Sequence, residues 1–161
     1  MFLTKTFVVH DYWKYIDSVS KTFSSTSVEW FNLADLGSNL GDCEITFKMK
    51  ANVGKSFRVD LSTTNQYENK SRYVVGVVTD PAYKISQYYN ASGTETVQYY
   101  STYSVNTDVT GIFHRENGNM SISVDNNTYT YTDISNLRYI GIVNWNIAKT
   151  VTITDLKVKP L

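Results

Sequence analysis

The placement of tyrosine is the first feature of the chain that suggests chemistry. Six of the thirteen tyrosines fall between Tyr83 and Tyr103, and Tyr88-Tyr89 and Tyr99-Tyr100 flank the polar turn Asn90-Ala91-Ser92-Gly93-Thr94-Glu95. Successive side chains of a strand point to opposite faces, so each adjacent pair sends one ring inward and one outward. Outward rings, joined by Tyr103, would stack on the apolar C–H faces of sugar rings. Their phenol hydroxyls, with Asn90 and Gln98, would bond the sugar hydroxyls. Trp145 stands between Asn144 and Asn146 at a strand end, placed to extend such a surface. The candidate ligand-binding residues are therefore Tyr88, Tyr89, Tyr99, Tyr100, Tyr103, Trp145, Asn90, Gln98 and Asn144. The same rings would also serve as cross-strand pairs that stabilise a twisted sheet edge.

Catalytic chemistry finds little purchase. A retaining glycosidase needs two carboxylates about 5–5.5 Å apart. The glutamates (Glu29, Glu44, Glu68, Glu95, Glu116) are scattered singly, and Asp42 with Glu44 is the only same-face acid pair on a clear strand. That pair reads as a solvated face. His10 and His114 lack zinc-ligand spacing. Cys43, the only cysteine, forbids an intramolecular disulfide. A thiol nucleophile built from Cys43 and His114 is disfavoured, because Cys43 lies on the inward parity of a strand, where cysteine acts as a small hydrophobe. No catalytic residue and no metal ligand is assigned, and the chain is not expected to be an enzyme. A structural calcium is the one cofactor left open, with Asp108 and Asp125-Asn126-Asn127 as its candidate ligands.

The elements that must position these residues are strands. From Asp42 to Lys50, Cys43, Ile45, Phe47 and Met49 alternate with polar residues, and Phe57, Val59 and Leu61 repeat the pattern after Asn52-Val53-Gly54-Lys55, which predicts a hairpin. Met120, Ile122 and Val124 alternate again before Asp125-Asn126-Asn127, with Tyr129 and Tyr131 on a returning strand. Tyr73–Val78 and Tyr139–Val143 read as central strands buried on both faces. Val151 and Ile153 sit on one parity and Leu156 and Val158 on the other, which predicts a β-bulge near Thr154-Asp155. Only Asp11–Val19 carries a helical spacing, at Tyr12, Tyr15, Ile16 and Val19, and an irregular strand fits it equally.

Composition sets the remaining bounds. At 161 residues, 42% hydrophobic and 19% charged, residues 1–161 are expected to form one all-β domain, an antiparallel sandwich of about ten or more strands with at most one short helix. Fifteen basic and fifteen acidic side chains cancel, so no strong net field draws nucleic acid or an anionic membrane, and a neutral polysaccharide suits the surface better than a charged one. No apolar run is long enough to insert in a bilayer, and no signal peptide is read at Met1–His10.

The C-terminal third carries a resemblance. Asn117-Gly118 leads into Met120-Ser121-Ile122-Ser123-Val124-Asp125; Ile140-Gly141-Ile142 follows; and Val151-Thr152-Ile153-Thr154-Asp155-Leu156-Lys157-Val158 closes the chain. These segments resemble the closing half of concanavalin A-like or laminin G-like jelly rolls, over residues 42–161 in pattern and 106–161 in motif. Such domains occur in carbohydrate-binding modules, microbial surface adhesins and viral tail or baseplate proteins. The resemblance implies a module for cell-surface glycan, on a virion or at the cell surface. A structural subunit of a homo-oligomer or larger assembly, such as a viral fibre, is the alternative. A glycan-cleaving enzyme stands third.

Overall fold

The computed structural model describes residues 14–24, 27–78 and 81–161. Among them run twelve strands: β1 (Lys14–Phe23), β2 (Glu29–Asp35), β3 (Cys43–Ala51), β4 (Phe57–Ser62), β5 (Arg72–Val77), β6 (Tyr83–Tyr89), β7 (Glu95–Thr102), β8 (Val109–Glu116), β9 (Asn119–Val124), β10 (Asn127–Thr132), β11 (Tyr139–Asn144) and β12 (Lys149–Pro160). They build two antiparallel six-stranded sheets, ordered β1-β12-β3-β8-β9-β10 and β2-β11-β4-β5-β6-β7. No helix occurs among the described residues.

The two sheets face one another because each strand has one apolar side to hide. Ile45, Phe47 and Met49 of β3 and Met120, Ile122 and Val124 of β9 bury against Phe57, Val59 and Leu61 of β4 and Tyr73 and Val75 of β5. Each large apolar side chain so buried contributes about 1.5–3 kcal/mol. A one-residue slip of any strand would turn its whole row to water, so the registers are firmly set. Cys43 is wholly buried in this layer, and burial pushes its thiol up to about 11. His114 points to the opposite face, onto Glu44, so the two never form a thiol pair.

Two expectations are corrected. β3 and β4 are not a hairpin: β3 pairs with β8 and β12, β4 with β5 and β11, and the intervening turn carries the chain across the sandwich. Alternation fixes which side of a strand is buried, and leaves open which sheet the strand joins. The helical option at Asp11–Val19 also gives way, since Lys14–Phe23 is a strand and residues 11–13 lie outside those described. The i, i+3 spacing of Ile16 and Val19 arises because β1 pairs with β12 straight across the bulge. That bulge falls where the parity slip puts it, between Thr154 and Lys157, with Asp155 at φ 51°.

β5 and β11 do lie inside their sheet, and the glycine in each has a purpose. A Cβ on Gly141 would stand 2.5 Å from the Trp30 ring, and one on Gly76 would stand 2.7 Å from Arg58 Cβ. Each glycine lets a long side chain from the neighbouring strand lie flat across the outer surface of the sheet.

Candidate functional site

The outer face of the second sheet is assembled from the residues that alternate with the core rows. Where Phe57, Val59 and Leu61 of β4 turn inward, Arg58 and Asp60 turn outward; on β5 and β6 the outward residues are Arg72, Val74, Gly76, Ile85, Gln87 and Tyr89. The segment from Thr63 to Ser71 folds back over this face. Arg72 fastens it, donating from Nη2 to Gln66 O at 3.0 Å and Thr64 Oγ1 at 3.3 Å. Arg72 Nη1 also donates to Asp60 Oδ2 at 2.7 Å, while Arg58 Nε lies 2.6 Å from Asp60 Oδ1. One wholly buried carboxylate is thus shared by two buried guanidinium groups.

Beside them opens a cleft of about 490 Å³, lined by Arg58, Gly76, Ile85, Gln87, Tyr89 and Trp145 among others. The guanidinium of Arg58 lies 4.3 Å from the Trp145 ring centre, 5.6 Å from that of Tyr89 and 5.8 Å from that of Tyr67. Cation–π contacts of this kind strengthen when desolvated. Tyr67 meets Trp145 edge to face at 5.3 Å, and Asn69 Oδ1 accepts from Arg58 Nη2 at 3.1 Å. Gln87 Nε2 donates to Tyr89 Oη and to Glu95 Oε2, and burial raises the Tyr89 phenol pKa.

The turn that presents Trp145 is pinned from below. Lys149 Nζ donates to Ile147 O at 2.9 Å, to Ser56 O at 3.3 Å and to Asn144 Oδ1, and the Trp145 amide donates to Ser56 O at 3.0 Å. With no carboxylate among these partners, burial pushes the Lys149 amine down to about 8. Three oxygens converge on this ammonium much as they would on a metal ion.

Of the residues singled out from the sequence, the structure brings Tyr89 and Trp145 together in the cleft. Asn144 is wholly buried behind it as a ligand of Lys149. Tyr88 faces inward, stacked on Tyr73 at 5.6 Å, and Tyr100 bonds Ser86 on the same inner side. Tyr103 is buried, its hydroxyl donating to Thr107 O and accepting from the Ala51 amide. Gln98 lies opposite Ser86 on β7. Asn90 caps its turn, its Oδ1 accepting from the Ser92 and Thr94 amides. Tyr99 stands 63% exposed on β7, against Tyr83. The β6–β7 hairpin and its division of each tyrosine pair follow the sequence reading.

The sequence reading gives Arg58 and Gln87 no role, although charged residues alternating through so apolar a strand as β4 are a usable signal. Asp42 and Glu44 lie away from the cleft, at the other sheet. Asp42 Oδ2 accepts from the Asn117 amide and Glu44 Oε2 contacts His114 Nδ1 at 2.8 Å. Asp125, a candidate calcium ligand, instead takes Lys84 Nζ at 2.7 Å and the Thr110 amide at 3.0 Å. Among the described residues no group of three or more His, Cys, Asp and Glu side chains is arranged to hold a metal.

This sandwich has the fold of the concanavalin A-like jelly rolls. It is similar to the carbohydrate-binding module CBM66 from Bacillus subtilis, with 15% identity over 91% of each chain and a TM-score of 0.60. The exoplasmic/lumenal domain of VIP36 in its Ca2+/Man-bound form matches at 11% identity over 90% of this chain and 82% of that one, with a TM-score of 0.58. A Bacillus licheniformis β-glucanase matches at 16% over 76% and 68%, with a TM-score of 0.55. No family model matches the sequence, and no curated protein is found similar to it.

Proposed function

We propose that the chain is a non-catalytic recognition module that binds cell-surface carbohydrate in the cleft beside Arg58. Its setting is a viral tail or baseplate protein or a microbial surface protein. The observation that carries the reading is the cleft itself: Trp145 and Tyr89 supply aromatic walls, and Arg58, Gln87 and Asn146 hydrogen-bonding groups. Apolar walls with a few convergent polar groups are the usual make-up of a small-ligand site. Two of the structural neighbours, a carbohydrate-binding module and a Man-bound domain, lend support. The β-glucanase neighbour points toward cleavage, but among the described residues no carboxylate lines this cleft. Hydrolysis by paired carboxylates would need two of them about 5–5.5 Å apart to retain configuration, or about 6.5–9.5 Å apart to invert it.

A glycan array with the intact chain and with Trp145→Ala, Tyr89→Ala and Tyr99→Ala variants tests this. Saturable binding that is lost in the first two and kept in the third is expected. Binding that survives Trp145→Ala in a folded protein would move the site elsewhere. The exposed Tyr99 on the edge strand β7 favours a second reading, self-association through that edge. A mass that rises with concentration and falls back in Tyr99→Ala would support it.

A further inference from the structure

We infer that the cleft selects an acidic saccharide, a sugar ring bearing a carboxylate, over its neutral counterpart. The inference rests on the recognition reading above and names the class of ligand. Among the described residues four charged side chains are buried, Arg58, Asp60, Arg72 and Lys149, and all four belong to this one region. Arg58 lines the cleft, Asp60 and Arg72 adjoin it, and Lys149 holds Ser56 and Ile147, which also line it. Three buried cations are therefore set against one buried carboxylate, which touches Arg58 and Arg72 but not Lys149.

The surrounding acids do not restore the balance. Glu68 accepts from Thr64 Oγ1 at 2.7 Å and lies 4.0 Å from Lys70. Glu95 is exposed and accepts from Gln87. Asp125 is paired with Lys84. Among the described residues the cleft lining holds one cation and no anion. Buried charge that lacks a counter-charge is costly, and a carboxylate entering the cleft would offset part of that cost. The aromatic walls of Trp145 and Tyr89 lower the local dielectric, so the pull exceeds that of a cation standing free in solvent. The cleft of about 490 Å³ between Trp145 and Tyr89 meanwhile leaves room for the ring that carries the acid. The chain's zero net charge, which suggested a neutral ligand, averages over the surface and hides this local excess.

Matched ligand pairs test the inference on the unaltered protein. Oligogalacturonate is compared with its fully methyl-esterified form of equal length, and sialyllactose with lactose, by calorimetry and tryptophan fluorescence. The acidic member of at least one pair should bind about ten-fold tighter at low salt, with the advantage shrinking as sodium chloride is raised. Arg58→Gln should abolish the preference, while Arg58→Lys, which keeps the charge without the planar fork, should keep part of it. Equal or weaker binding of the acidic members would overturn the inference. If the neutral sugars then still bind, and lose binding in Trp145→Ala, the recognition reading survives alone. If no sugar of either pair binds, both fall.

Discussion

Replacing Asp60 by Asn sets a buried ion pair against an exposed one of similar geometry. Asp60 is wholly buried and touches Arg58 at 2.6 Å and Arg72 at 2.7 Å, whereas Asp35 meets Arg138 at 2.8 Å with both side chains 40% exposed or more. Asn keeps the shape of Asp60 and removes the charge, leaving two buried guanidinium groups facing each other uncompensated. Breaking a buried pair in this way costs about 3–5 kcal/mol. In a chain of this size that corresponds to a fall of about 6–20 °C in the thermal midpoint. Asp35→Asn removes an equally well-formed contact, one that holds its carboxyl at about 2, yet water and salt already screen it. Its midpoint should scarcely move. Thermal and urea unfolding of the two variants, followed by circular dichroism, make the comparison. Tryptophan fluorescence should also report Asp60→Asn in the folded state, because Arg58 lies over Trp145. Equal losses in the two variants would refute the reasoning, since Asp60 differs from Asp35 in its burial and in the second guanidinium group that shares it.

Two further outcomes concern pH. The Lys149 amine sits at about 8 when folded against an ordinary value of 10.5, so between those values the unfolded chain holds a proton that the folded chain has shed. Lys149 should therefore add stability as pH rises across that window, against a loss from the Cys43 thiol, which the fold holds at about 11 and the unfolded chain releases first. Urea titrations at both ends should show the native chain gaining stability relative to Lys149→Met. His114, held by Glu44 and Glu116 at 2.8 and 3.0 Å, is raised above its ordinary 6.5, chiefly by the bond to Glu116. Its contribution should be full below 6.5 and lost as pH climbs through the folded value. An NMR titration of its ring protons should give a midpoint that falls in Glu116→Gln.

Much of the architecture could be read from parity. β3, β9 and β10 announce themselves by alternation, β5 and β11 by unbroken apolar runs, and the bulge in β12 by the step from Ile153 to Leu156. The crossing between β3 and β4 was not readable, because local pattern carries no information about which sheet a strand will join. The cleft was half readable for the same reason. Tyr89 and Trp145 stood out as aromatics, but the cleft comes together only when β4, β5, β6 and the turn before Lys149 meet in space. Arg58 and Asp60 look like a solvated face until the Thr63–Ser71 segment is seen to close over them.

The bulge at Asp155 has a consequence for how the sequence can change. β12 carries one residue more than β3 across the irregularity, while β1 keeps step with β12 on its other side. Deleting Asp155 alone would regularise the seam with β3 and throw β1 half a pleat out of phase, turning either Ile16 or Val19 to solvent. Deleting Asp17 as well would restore all three strands. The two aspartates thus form a linked pair of insertions, and a length change in one strand is neutral only when its neighbour changes length with it.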